Sequence, residues 1–199
     1  MKKILNVISS ARGAASNSTQ LAAAIIRRLT DQYPGSTVNL RDLVERHYPH
    51  LEESHLNAFF APAENETSEY KEAIQHSNEA IEEVLEADII VIGVPIYNFN
   101  IPSALKAWLD HLVRAGKTFS YQTGRPEGLV TGKKVYLAIA SGGVYSDGPM
   151  KSYDFAEPYL RAVLGFIGIT DVTTFRVEGT NVPDLKETAM QKGIDSIAV

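Results

Sequence analysis

The chain has 199 residues, 44% of them apolar and 22% charged, with a net charge of −5 and no cysteine. That length and composition predict one domain with a sizeable core, spanning residues 1–199, and are not those of a disordered chain. The absence of cysteine excludes disulfides, thiolate metal sites and cysteine nucleophiles, so redox chemistry here has to be carried by a bound cofactor; the acidic balance excludes the broad basic surface of a nucleic-acid binder.

Lys3–Ser9 is a short β-branched and apolar run ending in small polar residues, the pattern of a buried parallel strand. It is too short for the core of a signal peptide. No later segment approaches the roughly 20 apolar residues of a membrane span, so a cytoplasmic protein without membrane contact is expected. Across Ser18–Tyr33, Leu21, Ile25 and Leu29 recur at helical spacing, with Ala22 and Ile26 beside them, and Pro34-Gly35 stops the helix. Thr37–Leu40 reads as a second strand. Leu43–Asn65 has poor periodicity and carries His47, Pro49, His50, His55 and Pro62, predicting an excursion over the surface. Asn65-Glu66-Thr67 matches a glycosylation acceptor, without consequence in a chain that is not secreted.

Ser68–Ala87 reads as a helix with Ile74, Ile81, Val84 and Leu85 on its apolar side, and Asp88–Pro95 as the clearest buried strand. Pro102 suits the first turn of a helix continued by Leu105, Leu109 and Leu112. Lys134–Ala140 and Val172–Val177 complete the strands; Asp154–Leu164 and Pro183–Ile197 complete the helices. Strands alternating with helices predict an α/β three-layer sandwich around a five-stranded parallel sheet. The order 2-1-3-4-5 is favoured, with a ligand crevice at the carboxyl ends of strands 1, 3 and 4.

All three loops at those ends are unusual. Ser9-Ser10-Ala11-Arg12-Gly13-Ala14-Ala15-Ser16-Asn17-Ser18 puts hydroxyls and free amides at a helix N-terminus. Such a loop can cradle a phosphate, but Ser16 or Ser18 could equally be a simple helix cap. It is neither a dinucleotide fingerprint nor a Walker A loop; a monophosphate such as that of FMN fits it better. Pro95-Ile96-Tyr97-Asn98-Phe99-Asn100 combines flat apolar side chains with edge donors and acceptors, suiting a planar heteroaromatic ring; the alternative is a turn packed by aromatics. Ser141-Gly142-Gly143 lets backbone approach a ligand closely, or simply turns. Together, at the three expected strand ends, the loops point to one ligand.

Those residues, with Arg114-Ala115-Gly116-Lys117-Thr118-Phe119, Gly128–Lys134 and Leu164-Gly165-Phe166-Ile167-Gly168-Ile169, carry a resemblance over essentially the whole length. The chain resembles the flavodoxin-like FMN-dependent NADH-azoreductases and NADH:quinone oxidoreductases. The resemblance implies that Ser10, Ser16, Asn17 and Ser18 hold the FMN phosphate. It implies that Pro95, Ile96, Tyr97, Asn98 and Phe99, with Ala140, Ser141, Gly142 and Gly143, line the flavin ring. It also implies ping-pong transfer of hydride from NADH to quinone or azo acceptors, and a homodimer with its active site near the subunit boundary. Phe119, Tyr121 and Phe166 are then candidates to wall the acceptor pocket, Phe166 being as well explained as core. Ile96 stands where the family commonly has Met, and Ala140-Ser141 depart from the family's Ser-Arg/Gln. Backbone amides of Gly142 and Gly143 would meet the charge that reduction puts on the ring.

A flavodoxin-type electron carrier would share fold and cofactor, but such carriers are usually shorter and more acidic. A hydrolase finds no Gly-x-Ser-x-Gly elbow. His47, His50 and His55 with Glu52 and Glu53 lack metal-ligand spacing and read as surface residues; His76 and His111 on helices read as solvated or capping, and Arg12 as either phosphate-reaching or solvated.

Overall fold

The computed structural model describes residues 1–61 and 67–199. Its main sheet contains β1 (Lys3–Ile8), β2 (Thr37–Asp42), β3 (Ile89–Pro95), β4 (Lys134–Ala140) and β5 (Asp171–Val177), all parallel. Their order across the sheet is β2-β1-β3-β4-β5, the order the alternation predicts. Every residue of β3 is buried, as is all of β4 beyond Lys134, because a central parallel strand is covered on both faces.

Among the described residues the α-helices are α1 (Asn17–Gln32), α2 (Glu53–Phe60), α3 (Ser68–Glu86), α4 (Ser103–Leu112), α5 (Ala156–Phe166) and α6 (Ala189–Asp195), and all but α2, which packs on α3, help cover the sheet. Leu21, Ile25 and Leu29 of α1 pack with Ile4, Val91 and Tyr136 on one face of the sheet, and α6 joins them there through Ala189. On the other face, Ile81 and Val84 of α3, Leu105 and Leu109 of α4 and Leu160 of α5 close over Leu5, Ile90 and Leu137. From β1 the chain moves to one neighbour, β2, and later returns to the other, β3. The connections leaving β1 and β3 diverge, and a crevice opens between them.

Four departures from the sequence reading have physical causes. The stretch after Leu43 is not simply a surface excursion: it contains α2, started by a reciprocal capping box between Glu52 and His55, and it buries Leu43, Tyr48 and His55. Pro62 and Asn65 lie outside the described residues. Leu85 is 45% exposed, because Val84 already fills the contact and the next residue is turned about 100° around the helix. The closing helix is only Ala189–Asp195, because the residues before it form separate turns, with the Leu185 and Lys186 amides donating to Val182 O and the Thr188 and Ala189 amides to Leu185 O. Finally, Phe119–Ser120 and Glu127–Gly128 form an antiparallel hairpin that the reading lacks. It lies so close to the turn after α5 that a Cβ on Gly128 would stand 2.2 Å from the Gly168 nitrogen, so that position needs glycine.

Candidate flavin site at the carboxyl ends of β1, β3 and β4

The loop after β1 is tied down before it turns. The Ser9 hydroxyl donates to the Gly93 carbonyl at 2.9 Å, joining the ends of β1 and β3. The Ser10 hydroxyl lies 3.1 Å from the Tyr97 hydroxyl, joining the first loop to the second. Ser16 occupies the N-cap position of α1, yet its hydroxyl makes no capping bond; it pairs with the Ser18 hydroxyl at 2.9 Å. The first helical N–H to find an intrahelical carbonyl there is that of Gln20, to Ser16 O at 3.0 Å. The preceding amides are left for an external acceptor at the positive end of the helix dipole. The capping alternative therefore does not describe Ser16.

In the second loop the Ile96 N–H donates to the Ala140 carbonyl at 2.8 Å, and Tyr97 and Asn100 exchange two backbone bonds of 3.0 and 3.1 Å. The two residues between them have positive φ, 49° at Asn98 and 69° at Phe99. Asn tolerates that region, whereas a phenylalanine there stores strain of about 1–3 kcal/mol, a cost that clusters at functional sites. The turn leaves Tyr97 and Phe99 partly exposed at the cleft.

The third loop hangs from the segment that follows β5. Ser141 N–H donates to Val177 O (2.9 Å), Asn181 N–H to Gly142 O (3.0 Å) and Gly179 N–H to Gly143 O (2.9 Å). The Thr180 hydroxyl donates to Ser141 O at 3.1 Å. With the carbonyls so engaged, the amides of Gly142 and Gly143 find no protein acceptor among the described residues. A Cβ at Gly142 would meet the Asn181 side-chain nitrogen at 2.5 Å, so a larger residue there has to displace that amide.

These loops enclose a cleft of about 230 Å³ lined by Ser10, Ser16 and Asn17 at one end and by Pro95, Ile96, Tyr97, Ala140, Ser141 and Gly142 along its walls. Of the remaining sequence-predicted ring and phosphate residues, Ser18 is buried beneath Ser16, while Asn98, Phe99 and Gly143 flank the lining. Arg12 also lines the cleft, as do Thr180 and Asn181, which the sequence reading missed. Their one signal was a Gly-Thr-Asn turn at the end of the fifth strand, outside the three loops of the switch point. Larger concavities exist, such as that of about 560 Å³ beside β2 with Arg41 and Glu83. They lack the loops at the switch point, and size alone does not mark the site.

Phe119, Tyr121 and Phe166 come together, with ring centroids 5.5 and 4.6 Å apart from Phe119, but in the protomer they do not line the cleft. Phe166 instead borders an apolar groove of about 330 Å³ with Leu109, Val113, Tyr159 and Val163.

The histidines correct the sequence reading. His111 is fully buried rather than solvated, and His55 is 8% exposed; their rings meet edge-on at 5.1 Å, with His76 and Tyr48 alongside. His111 Nε2 pairs with Pro49 O at 3.0 Å, which makes Nε2 the protonated nitrogen. Burial pushes the His111 pKa below its ordinary value, against that hydrogen bond and with help from His55 and His76. Among the described residues no group of three or more His, Cys, Asp or Glu is placed to hold a metal. No helix there is long and apolar enough to cross a membrane.

Residues 2–198 match the profile of a protein family described by its flavodoxin-like fold. The chain is 44% identical over 198 residues to the FMN-dependent NADH:quinone oxidoreductase of Beijerinckia indica subsp. indica, covering 100% of this chain and 98% of that one. The chain belongs to this flavodoxin-like family. Within it, the FMN-dependent NADH:quinone oxidoreductase of Herminiimonas arsenicoxydans is 49% identical over 179 residues, covering 90% of this chain and 88% of its own. The azoreductase of Bacillus anthracis str. Sterne superposes with a TM-score of 0.90 at 34% identity, over 98% of this chain and 96% of that one. An FMN-dependent NADH-azoreductase from Bacillus anthracis str. Ames Ancestor, solved in complex with FMN, superposes at 0.86 with 26% identity, over 97% of this chain and 94% of that one.

Proposed function

We propose that this protein is an FMN-dependent NADH:quinone oxidoreductase that also reduces aromatic azo compounds. One observation carries the reading: a cleft whose hydroxyl and amide end suits a phosphate monoester opens directly into walls of backbone and aromatic side chains that suit a planar ring. The names of the relatives at 44–49% identity supply the donor and the quinone acceptor, and those of the superposed structures supply the azo acceptor.

The residues present fit FMN. Ser10, Ser16 and Asn17, with the first amides of α1, hold its phosphate, and the buried Ser18 fixes Ser16 from below. Ile96 to Phe99 and Ala140 to Gly143 hold the ring. Bound there, FMN would supply the hydride-transfer chemistry between NADH and the acceptor, which no side chain of this protein has to perform. The chain contributes position and field. The strained Asn98-Phe99 turn fixes the aromatic wall, and the free amides of Gly142 and Gly143 offer preorganised donors where negative charge develops.

The working unit in this reading is a cytoplasmic homodimer of single-domain protomers. Support comes from the apolar groove between α4 and α5 and from the aromatic trio beside it, which is partly exposed and does not line its own cleft. In a two-fold dimer joined along that groove, Phe119, Tyr121 and Phe166 of one copy wall the acceptor pocket of the other.

The decisive experiment is a visible spectrum of the protein reconstituted with FMN and mixed anaerobically with NADH. Flavin bands that bleach on NADH and return on adding a quinone are expected. Bands that persist would leave an electron carrier, and failure to bind FMN would overturn the reading.

A further inference from the structure

The segment 144–155 follows the glycine pair of the third loop and has no core of its own. Every residue of its central turn, Gly148–Tyr153, lacks burial, and Met150 and Tyr153 are 38% and 46% exposed. A strap without buried apolar contacts takes its conformation from its anchors. Its rings nevertheless sit against the strained turn of the flavin site: Tyr145 and Tyr153 lie 6.2 and 5.4 Å from Phe99, and Phe155 N–H donates to Phe99 O at 3.3 Å.

Both anchors lead to one side chain. At the start of the strap, the N–H groups of Tyr145 and Ser146 donate to Glu178 Oε1 at 2.8 and 2.9 Å, and the Ser146 hydroxyl donates to Glu178 Oε2. At its end, Asp154 Oδ1 accepts from the amides of Ala156 and Glu157, both at 3.2 Å, and so starts α5. Arg176 of β5, only 14% exposed, reaches both: Nη1 donates to Glu178 at 3.2 Å, and Nη2 donates to Asp154 and to Glu157. A planar guanidinium presents five N–H donors in a rigid fork and so holds three carboxylates at set positions, whereas an ammonium is a compact point charge on a flexible stem. Without it, three carboxylates would face one another across the base of the strap, and their repulsion would drive its ends apart.

From this geometry we propose that Arg176 is a positioning residue that clamps the two ends of the strap 144–155 and thereby sets the aromatic rim that receives the acceptor. It touches neither cofactor nor substrate; it acts through Glu178 and Asp154 on Tyr145, Tyr153 and Phe99. The effect on acceptor recognition rests on the proposed flavin function, whereas the clamp itself does not.

The test compares Arg176→Met and Arg176→Lys with Arg161→Gln. Arg161 bonds the same Glu157 from outside, at 2.7 Å, without reaching the strap. In the flavin-free protein, amide hydrogen exchange over 144–155 should quicken at least about tenfold in Arg176→Met, while α1 and β3 keep their protection and Arg161→Gln leaves the strap unchanged. Arg176→Lys should fall between Met and wild type, and it carries the same test if the Met variant does not fold. In reconstituted protein, the quinone KM should rise about tenfold with kcat within about twofold, and the NADH reduction rate should be little altered. FMN binding by the wild type, followed by fluorescence quenching, separates the two levels. Loss of that binding would sink the flavin reading and leave the exchange result standing. Unchanged exchange in the strap, or equal loosening by Arg161→Gln, would overturn the clamp.

Discussion

The loop after β1 and the stretch after β2 leave neighbouring strands, the first rich in small polar side chains and the second in imidazoles. They spend those groups in opposite ways. After β1, Ser10 and Ser16 line an open cleft, and the amides at the start of α1 are left without intrahelical partners. After β2, His55 turns inward and caps α2, its ring meeting that of His111, which donates to Pro49 O, with Tyr48 and His76 packed alongside at tilted angles, while His47 and His50 stay exposed. The difference lies in topology as well as composition. β1 and β3 send their connections apart and leave a crevice, whereas the connection from β2 has α3 and α4 beside it to pack against.

The largest expected effect on that contrast comes from closing the cleft. Gly142→Val should abolish retention of FMN through a purification that leaves the wild type yellow, because its side chain must occupy space held by Asn181. Next, Ser16→Ala combined with Ser10→Ala should weaken FMN binding about tenfold or more, read by fluorescence titration, with the unfolding midpoint nearly unmoved. A large fall in stability with unchanged affinity would make these serines structural and erase the contrast.

The opposite pattern is expected after β2. His111→Leu removes the bond to Pro49 and should cost about 1–3 kcal/mol in denaturant unfolding while FMN affinity stays within about twofold. A smaller effect follows from pH. Because burial holds His111 below its ordinary pKa of 6.5, the folded protein binds fewer protons there than the unfolded chain. Its contribution to stability is therefore present above pH 6.5 and declines as pH falls toward the depressed folded value. The melting temperature of the wild type should drop across that window, and His111→Gln, which can keep a donor toward Pro49, should flatten the drop. The smallest effect is expected at His50, which neither meets the ring cluster nor touches the flavin cleft: His50→Ala should change neither stability nor FMN affinity measurably.

Much of the site was legible because its location follows from element order. Once Lys3–Ser9, Asp88–Pro95 and Lys134–Ala140 read as buried strands, the loops after them were the places to look, and nine of the thirteen predicted cofactor residues line one cleft. Thr180 and Asn181 escaped because they follow the edge strand and reach the cleft only by hydrogen-bonding back to Ser141 and Gly142. Phe119, Tyr121 and Phe166 were legible as a group but not in their position, since their separation from the protomer's own cleft depends on how the hairpin packs beside Gly168.

The amino-acid sequence by itself determined the alternation of strands and helices, the order of the sheet and the three loops at its switch point. These follow from apolar periodicity and chain direction, which are local properties. Only the tertiary structure decided which polar side chains face the cleft and which are buried. It withheld the Ser16 hydroxyl from the helix amides, put His111 beneath α2, and gathered Asp154, Glu157 and Glu178 around Arg176. The burial of His111 and the reach of Arg176 to Asp154 and Glu157 depend on contacts between segments far apart in the chain, and the turn of Ser16 toward Ser18, though local, is not encoded by apolar periodicity.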